Sequence, residues 1–136
     1  MPVKVLFDSN FLMVPAQFHV DIFQGTEDAL NTRAEYLVLP ETVEELRRLA
    51  ARRGRRGREA KLALRLAERC TVLAPRAKPG KTTDELLLEA AREERLVAAT
   101  NDSALRKQLR ELGLPVLYLR KKAYVALEGS LNLAEA

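Results

Sequence analysis

Four carboxylates stand where short apolar runs end and helical segments begin. Asp8 closes the run Val3–Phe7 (VKVLF), and Asp102 follows Leu96–Ala99 (LVAA) by way of Thr100 and Asn101. Glu45 and Asp84 fall near the starts of segments with helical spacing. Carboxylates gathered in one place repel one another unless a cation sits among them. Mg²⁺ or Mn²⁺ suits such a set, because hard cations take oxygen ligands and Mg²⁺ keeps several waters. The chemistry on offer is hydrolysis, with water as nucleophile and the cation offsetting charge on a phosphate. Each acid also has a plainer reading. Asp8 could end a strand as a turn residue, Glu45 could be a solvated helix glutamate, Asp84 could favour a helix dipole, and Asp102 could cap a helix.

Other chemistries are closed. Cys70 is the single cysteine and His19 the single histidine, which excludes an internal disulfide, a cysteine-based zinc site and any histidine-pair mechanism. His19 reads as a structural or solvated residue and Cys70 as a small buried hydrophobe. No apolar run approaches the length of a membrane span, and MPVKVLFDSN does not look like a secretory signal, so a cytoplasmic home is expected.

The carboxylates need a frame. At 136 residues, 47% hydrophobic and 31% charged, the chain suits one globular domain over residues 1–136. Short strands are expected at Val3–Phe7, Tyr36–Leu39, Thr71–Ala74, Leu96–Ala99 and Val116–Leu119. Helices are expected at Asp21–Arg33, Glu41–Arg52, Arg58–Arg69, Asp84–Arg95 and Asp102–Leu112, with Thr83 as an N-cap and Gly113 as a stop. On the Arg58–Arg69 helix, Leu62, Ala63 and Leu66 are read as one face. Pro75–Gly80 reads as a loop, and the tail from Lys121 is weakly patterned. Alternating strands and helices imply a three-layer α/β sandwich around a parallel, five-stranded sheet. In such sheets the functional crevice lies beyond the carboxyl ends of the strands, where Asp8 and Asp102 fall.

Net charge is +4, but its placement matters more. Arg47–Arg69 reads RRLAARRGRRGREAKLALRLAER, with Glu59 and Glu68 as its only carboxylates. Such a block suits a polyanion partner, and a solvated ion-pair surface is the competing reading. Gly54 and Gly57 break it, so Arg52, Arg53, Arg55, Arg56 and Arg58 are expected on a mobile loop that touches nucleic-acid phosphates. Tyr118 and Tyr124 could stack on bases, although Tyr118 reads as core.

Over nearly its whole length the chain resembles the PIN-domain nucleases. The segments that carry the resemblance are VLFDSNFLM, VLPETVEELRRL, TTDELLLEAA and LVAATNDSALRKQL, in that order. The resemblance implies metal-dependent cleavage of single-stranded RNA by Asp8, Glu45, Asp84 and Asp102. Glu45 is preferred to Glu41 and Glu44 because it directly precedes Leu46, as the family pattern has it. Many relatives show two adjacent aspartates at the third acid; this chain has Thr83–Asp84, and the spacing to Asp102 fits Asp84 better than Glu85. Asn10 and Thr100 resemble polar supports that orient a carboxylate or a bound water. Many relatives are toxins of VapC-type toxin–antitoxin pairs and others process ribosomal RNA precursors, so an antitoxin partner and a homodimer are further expectations. PAQFHVDIF and YLRKKAYVALEG resemble archaeal stand-alone members near the rRNA-processing branch.

Rival families fit less well. A haloacid-dehalogenase-like phosphatase needs an aspartate where Asn10 stands. A dinucleotide-binding fold needs a glycine-rich turn after the first strand, and a response-regulator receiver needs paired acids that are absent. The alternative from another class is a non-catalytic RNA-binding or assembly protein that keeps the fold.

Overall fold

The computed structural model describes residues 2–74 and 80–131. The expected Pro75–Gly80 loop therefore lies mostly outside the described residues. Six strands form one sheet: β1 (Val3–Phe7), β2 (Ala34–Val38), β3 (Thr71–Val72), β4 (Val97–Ala99), β5 (Val116–Arg120) and β6 (Tyr124–Glu128). Their order is β3-β2-β1-β4-β5-β6. All neighbours are parallel except β5 and β6, which pair antiparallel with Arg120 opposite Tyr124. The sheet thus has one strand more than the five expected, formed by the weakly patterned tail.

The chain first moves outward from β1 to β3, then returns to the other side of β1 as β4. A crevice opens where the direction switches, between β1 and β4. Strand alternation divides the core into the two interfaces of a three-layer sandwich. Val5 and Phe7 face one way, against α1 (Ser9–Leu12), α2 (Val14–Phe18), α3 (Ile22–Leu30), α4 (Pro40–Ala50) and α5 (Arg55–Ala67). Leu6 faces the other way, against α6 (Thr83–Glu94) and α7 (Ser103–Glu111). Phe7 is fully buried and meets Phe11, Phe23 and Tyr36 at centroid distances of 5.3, 5.6 and 5.3 Å. Burial of such a ring contributes about 2–3 kcal/mol and fixes the backbone at the next residue, Asp8.

Several local expectations change. The Gly54–Gly57 segment is not a mobile loop: α5 starts at Arg55, and Gly54 is its N-cap, with φ +90°. Arg55, Arg56 and Arg58 are therefore helical, while Arg52 and Arg53 sit in the tight turn before them. The buried face of α5 is Ala60, Ala63 and Ala67, and Leu62 points outward. Leu64 and Leu66 are half-buried against the same cluster. The N-cap of α6 is Thr82, one residue earlier than expected, in a capping box with Glu85. No helix of the described residues is long and apolar enough to cross a membrane.

Candidate active site

β1 ends at Phe7, and the backbone N–H of Asp8 still bonds to the Ala99 carbonyl of β4 at 3.0 Å. Asp8 is therefore held at the β1–β4 switch point. Its side chain is only 4% exposed. Oδ1 accepts from the Ser9 N–H at 2.8 Å; Oδ2 accepts from Thr100 Oγ1 at 2.7 Å and Asn10 Nδ2 at 3.1 Å. Asn10 also accepts the Asn101 N–H through Oδ1 at 3.0 Å, and Thr100 Oγ1 accepts the Asp102 N–H at 3.1 Å. Asn10 and Thr100 thus lace the loop after β1 to the loop after β4.

One cavity of about 400 Å³ opens here, and Asp8, Glu45, Asp84 and Asp102 all line it. Glu45 reaches it from α4 and accepts a hydrogen bond from Ser9 Oγ at 3.2 Å. Glu44 points elsewhere, paired with Arg47 on the exposed side of α4. Asp84 comes from the first turn of α6, whereas Glu85 is occupied by Thr82. Asp102 caps α7, its Oδ1 accepting from the N–H groups of Ala104 and Leu105 at 2.9 and 3.1 Å. The capping reading of Asp102 is therefore correct as geometry and compatible with its place on the cavity wall.

Crowding shows in the acidities. Burial, opposed by the Thr100 and Ser9 hydrogen bonds and aided by the charges of Asp84 and Glu45, raises the Asp8 carboxyl to about 6. Asp84 is also raised, first by burial and then by Asp102 and Glu45. Among the described residues, no three Asp, Glu, His or Cys side chains form a ready-made ligand group. The carboxylates face a common space without closing around it.

Of the five arginines expected at RNA, Arg56 alone lines this cavity. Among the described residues it has no ion-pair partner, whereas Arg55 is tied to Glu59 at 3.4 Å. Met13 and Leu49 give the cavity an apolar side, and Gln17 also lines it. Sequence reasoning passed over Ser9, Asn101, Met13 and Gln17. The position of Ser9 beside Asp8 was a usable signal. Gln17 lies on a helix too short to show a period, and Met13 joins two such helices.

A family profile described as "PIN like domain" matches residues 5–122. The chain belongs to the PIN-like domain family. This PIN-like chain is 34% identical over 128 residues to ribonuclease VapC4 of Methanocaldococcus jannaschii, covering 93% of the chain and 97% of that protein. It is 30% identical over 127 residues to the rRNA-processing protein FCF1 of Saccharomyces cerevisiae, covering 91% of the chain and 64% of the yeast protein. Among solved structures, the PIN domain endonuclease Utp24 aligns with TM-score 0.77 at 26% identity, over 95% of this chain and 93% of that one. VapBC-1 from nontypeable Haemophilus influenzae shares the fold, with TM-score 0.58 at 15% identity over 80% of this chain and 94% of that one.

Proposed function

We propose that this PIN-like chain is a single-domain, divalent-metal-dependent ribonuclease that cuts single-stranded RNA, with Asp8, Glu45, Asp84 and Asp102 as its acidic set. The observation that carries the reading is the one cavity that all four acids share with Arg56, which has no ion-pair partner among the described residues. The names of VapC4, FCF1 and Utp24 point the same way.

The donor set fits Mg²⁺ or Mn²⁺. It offers oxygen atoms only, its charges raise two of its own members, and its openness leaves room for the waters that Mg²⁺ retains. When bound, such a cation supplies positive charge to the phosphate and makes water more acidic. The chain's own residues do the positioning. Ser9, Asn10 and Thr100 fix the Asp8 carboxylate, and Ser9 also holds Glu45. Arg56 offers a planar pair of donors to phosphate oxygens. Met13 and Leu49 exclude water from one side of a bound nucleotide. Arg52, Arg53, Arg55 and Arg58 neutralise neighbouring phosphates from outside the cavity.

Labelled single-stranded RNA, incubated with Mn²⁺ and then with EDTA, tests this reading. Cleavage that needs the metal is expected. Binding without cleavage would favour the second reading, an RNA-binding scaffold that keeps the fold. Arg56→Ala should weaken RNA binding and flatten log K against log salt by about 0.7, the contribution of one phosphate on a single strand. An unchanged slope would remove Arg56 from the interface.

The biological setting is either a toxin-type ribonuclease with an antitoxin partner or an rRNA-processing endonuclease. A small DNA-binding protein encoded immediately upstream would select the first. Self-association is proposed on the family resemblance alone. Sedimentation velocity tests it, and a monomer at every concentration overturns it.

A further inference from the structure

The β5–β6 hairpin ends in Arg120, Lys121, Lys122, Ala123 and Tyr124, all exposed. Lys121 and Lys122 both hold left-handed backbone conformations, with φ +55° and +54°, which make the turn tight. Among the described residues none of the three cations has an ion-pair partner. Three like charges on a tight turn repel one another. Arg120 stands directly across from Tyr124, an exposed aromatic residue, in the antiparallel register.

The tip is also fixed relative to the cavity. Ala99 pairs with Leu117, and Thr100 N–H bonds to the Leu117 carbonyl at 3.0 Å. Past that point a side chain takes over from the ladder: the Leu119 N–H donates to Asn101 Oδ1 at 2.7 Å. The segment Thr100–Asn101, which leads from β4 to Asp102, therefore runs beside the second half of β5. The basic tip follows directly on that part of β5. It emerges at the carboxyl edge of the sheet, as Asp8 does. The arginines around α5 flank the cavity on the β1 side, and the tip flanks it beyond β4.

We propose that this hairpin tip is a second single-strand RNA contact, in which Arg120, Lys121 and Lys122 hold phosphates and Tyr124 offers a stacking face where the strand leaves the cavity. Cations beside an aromatic ring are what a flexible, single-stranded polyanion requires. The inference rests on the ribonuclease reading. It is tested with the triple variant R120Q, K121N and K122N, since asparagine tolerates the left-handed conformation. Binding of a labelled single-stranded RNA dodecamer is measured in EDTA across a salt series. The variant should bind roughly 10- to 100-fold more weakly at low salt, and its log K–log salt slope should flatten by about two. The charge-preserving variant R120K, K121R and K122R should keep the wild-type slope. A wild-type slope in the neutral variant, from a protein that still cleaves RNA, overturns the tip contact alone and leaves the tip for an acidic protein partner. A wild-type chain that neither binds nor cleaves RNA overturns the tip contact and the ribonuclease reading together. A melting curve for each variant separates lost contact from lost fold.

Discussion

Asp8→Asn is expected to leave a folded protein whose metal-dependent RNA cleavage falls by roughly 10³-fold. A bound divalent cation supplies several kcal/mol of charge stabilisation in hydrolysis, and about 4 kcal/mol corresponds to that factor. The substitution keeps the shape of the side chain and removes the most buried charge of the four acids. Asp8 accepts three hydrogen bonds, from Ser9, Asn10 and Thr100. An asparagine leaves one of those donors facing an amide N–H, which costs about 1 kcal/mol. Cleavage at the wild-type rate by the folded variant would remove Asp8 from the mechanism.

The same variant carries a pH signature in EDTA. The Asp8 carboxyl lies near 3.8 in the unfolded chain and is raised to about 6 in the fold. The folded state therefore binds the proton more tightly, and stability from this group is fully present below about 3.8. It is lost as pH rises through about 6, by about 3 kcal/mol in total. Asparagine has nothing to lose over that window. At pH 4 the wild type should be the more stable protein, and at pH 8 the variant should lead by about 2 kcal/mol. Urea melts at both pH values measure this. A wild type that stays ahead at pH 8 would mean that Asp8 is not penalised by burial. Mn²⁺ at pH 8 should raise wild-type stability and leave the variant nearly unmoved, because only the charged site gains from the cation.

Parts of this site were legible in the sequence for physical reasons. Asp8 and Asp102 follow apolar runs, Val5–Phe7 and Leu96–Ala99, that are continuous because both faces of the sheet are covered there. Glu45 was harder, since Glu41, Glu44 and Glu45 share one helix and only the direction of α4 separates them. The sequence pattern could not show that Glu44 pairs with Arg47 while Glu45 turns inward. β6 was hidden because an edge strand with one covered face reads as weak alternation, here Tyr124–Glu128. α1 and α2, of 4 and 5 residues, are too short to show a helical period. The largest misreading was the glycine pair in the arginine block. Glycine signals either a special backbone angle or a close approach, and only coordinates tell which.

Gly57→Ala separates those two meanings and should destabilise the protein by roughly 1–3 kcal/mol. Helix propensity alone predicts the opposite, because alanine in a helix interior gains about 1 kcal/mol over glycine. Gly57 lies inside α5 with no positive φ, so its backbone suits any residue. Its difficulty is space: a Cβ there would stand 1.9 Å from the Arg52 carbonyl oxygen and 2.9 Å from its carbon. Those are backbone atoms in the tight turn that joins α4 to α5, and they cannot swing aside as a side chain would. The first turn of α5 must tilt away, and Arg56, the residue before Gly57, moves with it. The variant should therefore lose stability and RNA affinity together, with its salt slope flattened as in Arg56→Ala. Gly54 is the contrasting control. A Cβ there meets nothing within 4 Å, but φ is +90° with ψ −164°, a region nearly confined to glycine. Gly54→Ala should cost about 1–3 kcal/mol through backbone strain. Because no neighbour is struck, the position of Arg56 on the cavity should change less for a given loss of stability. A Gly57→Ala protein that melts above the wild type would show that the turn yields easily and that propensity governs α5. Loss of stability with RNA affinity intact would show that Arg56 does not depend on the packing of that turn.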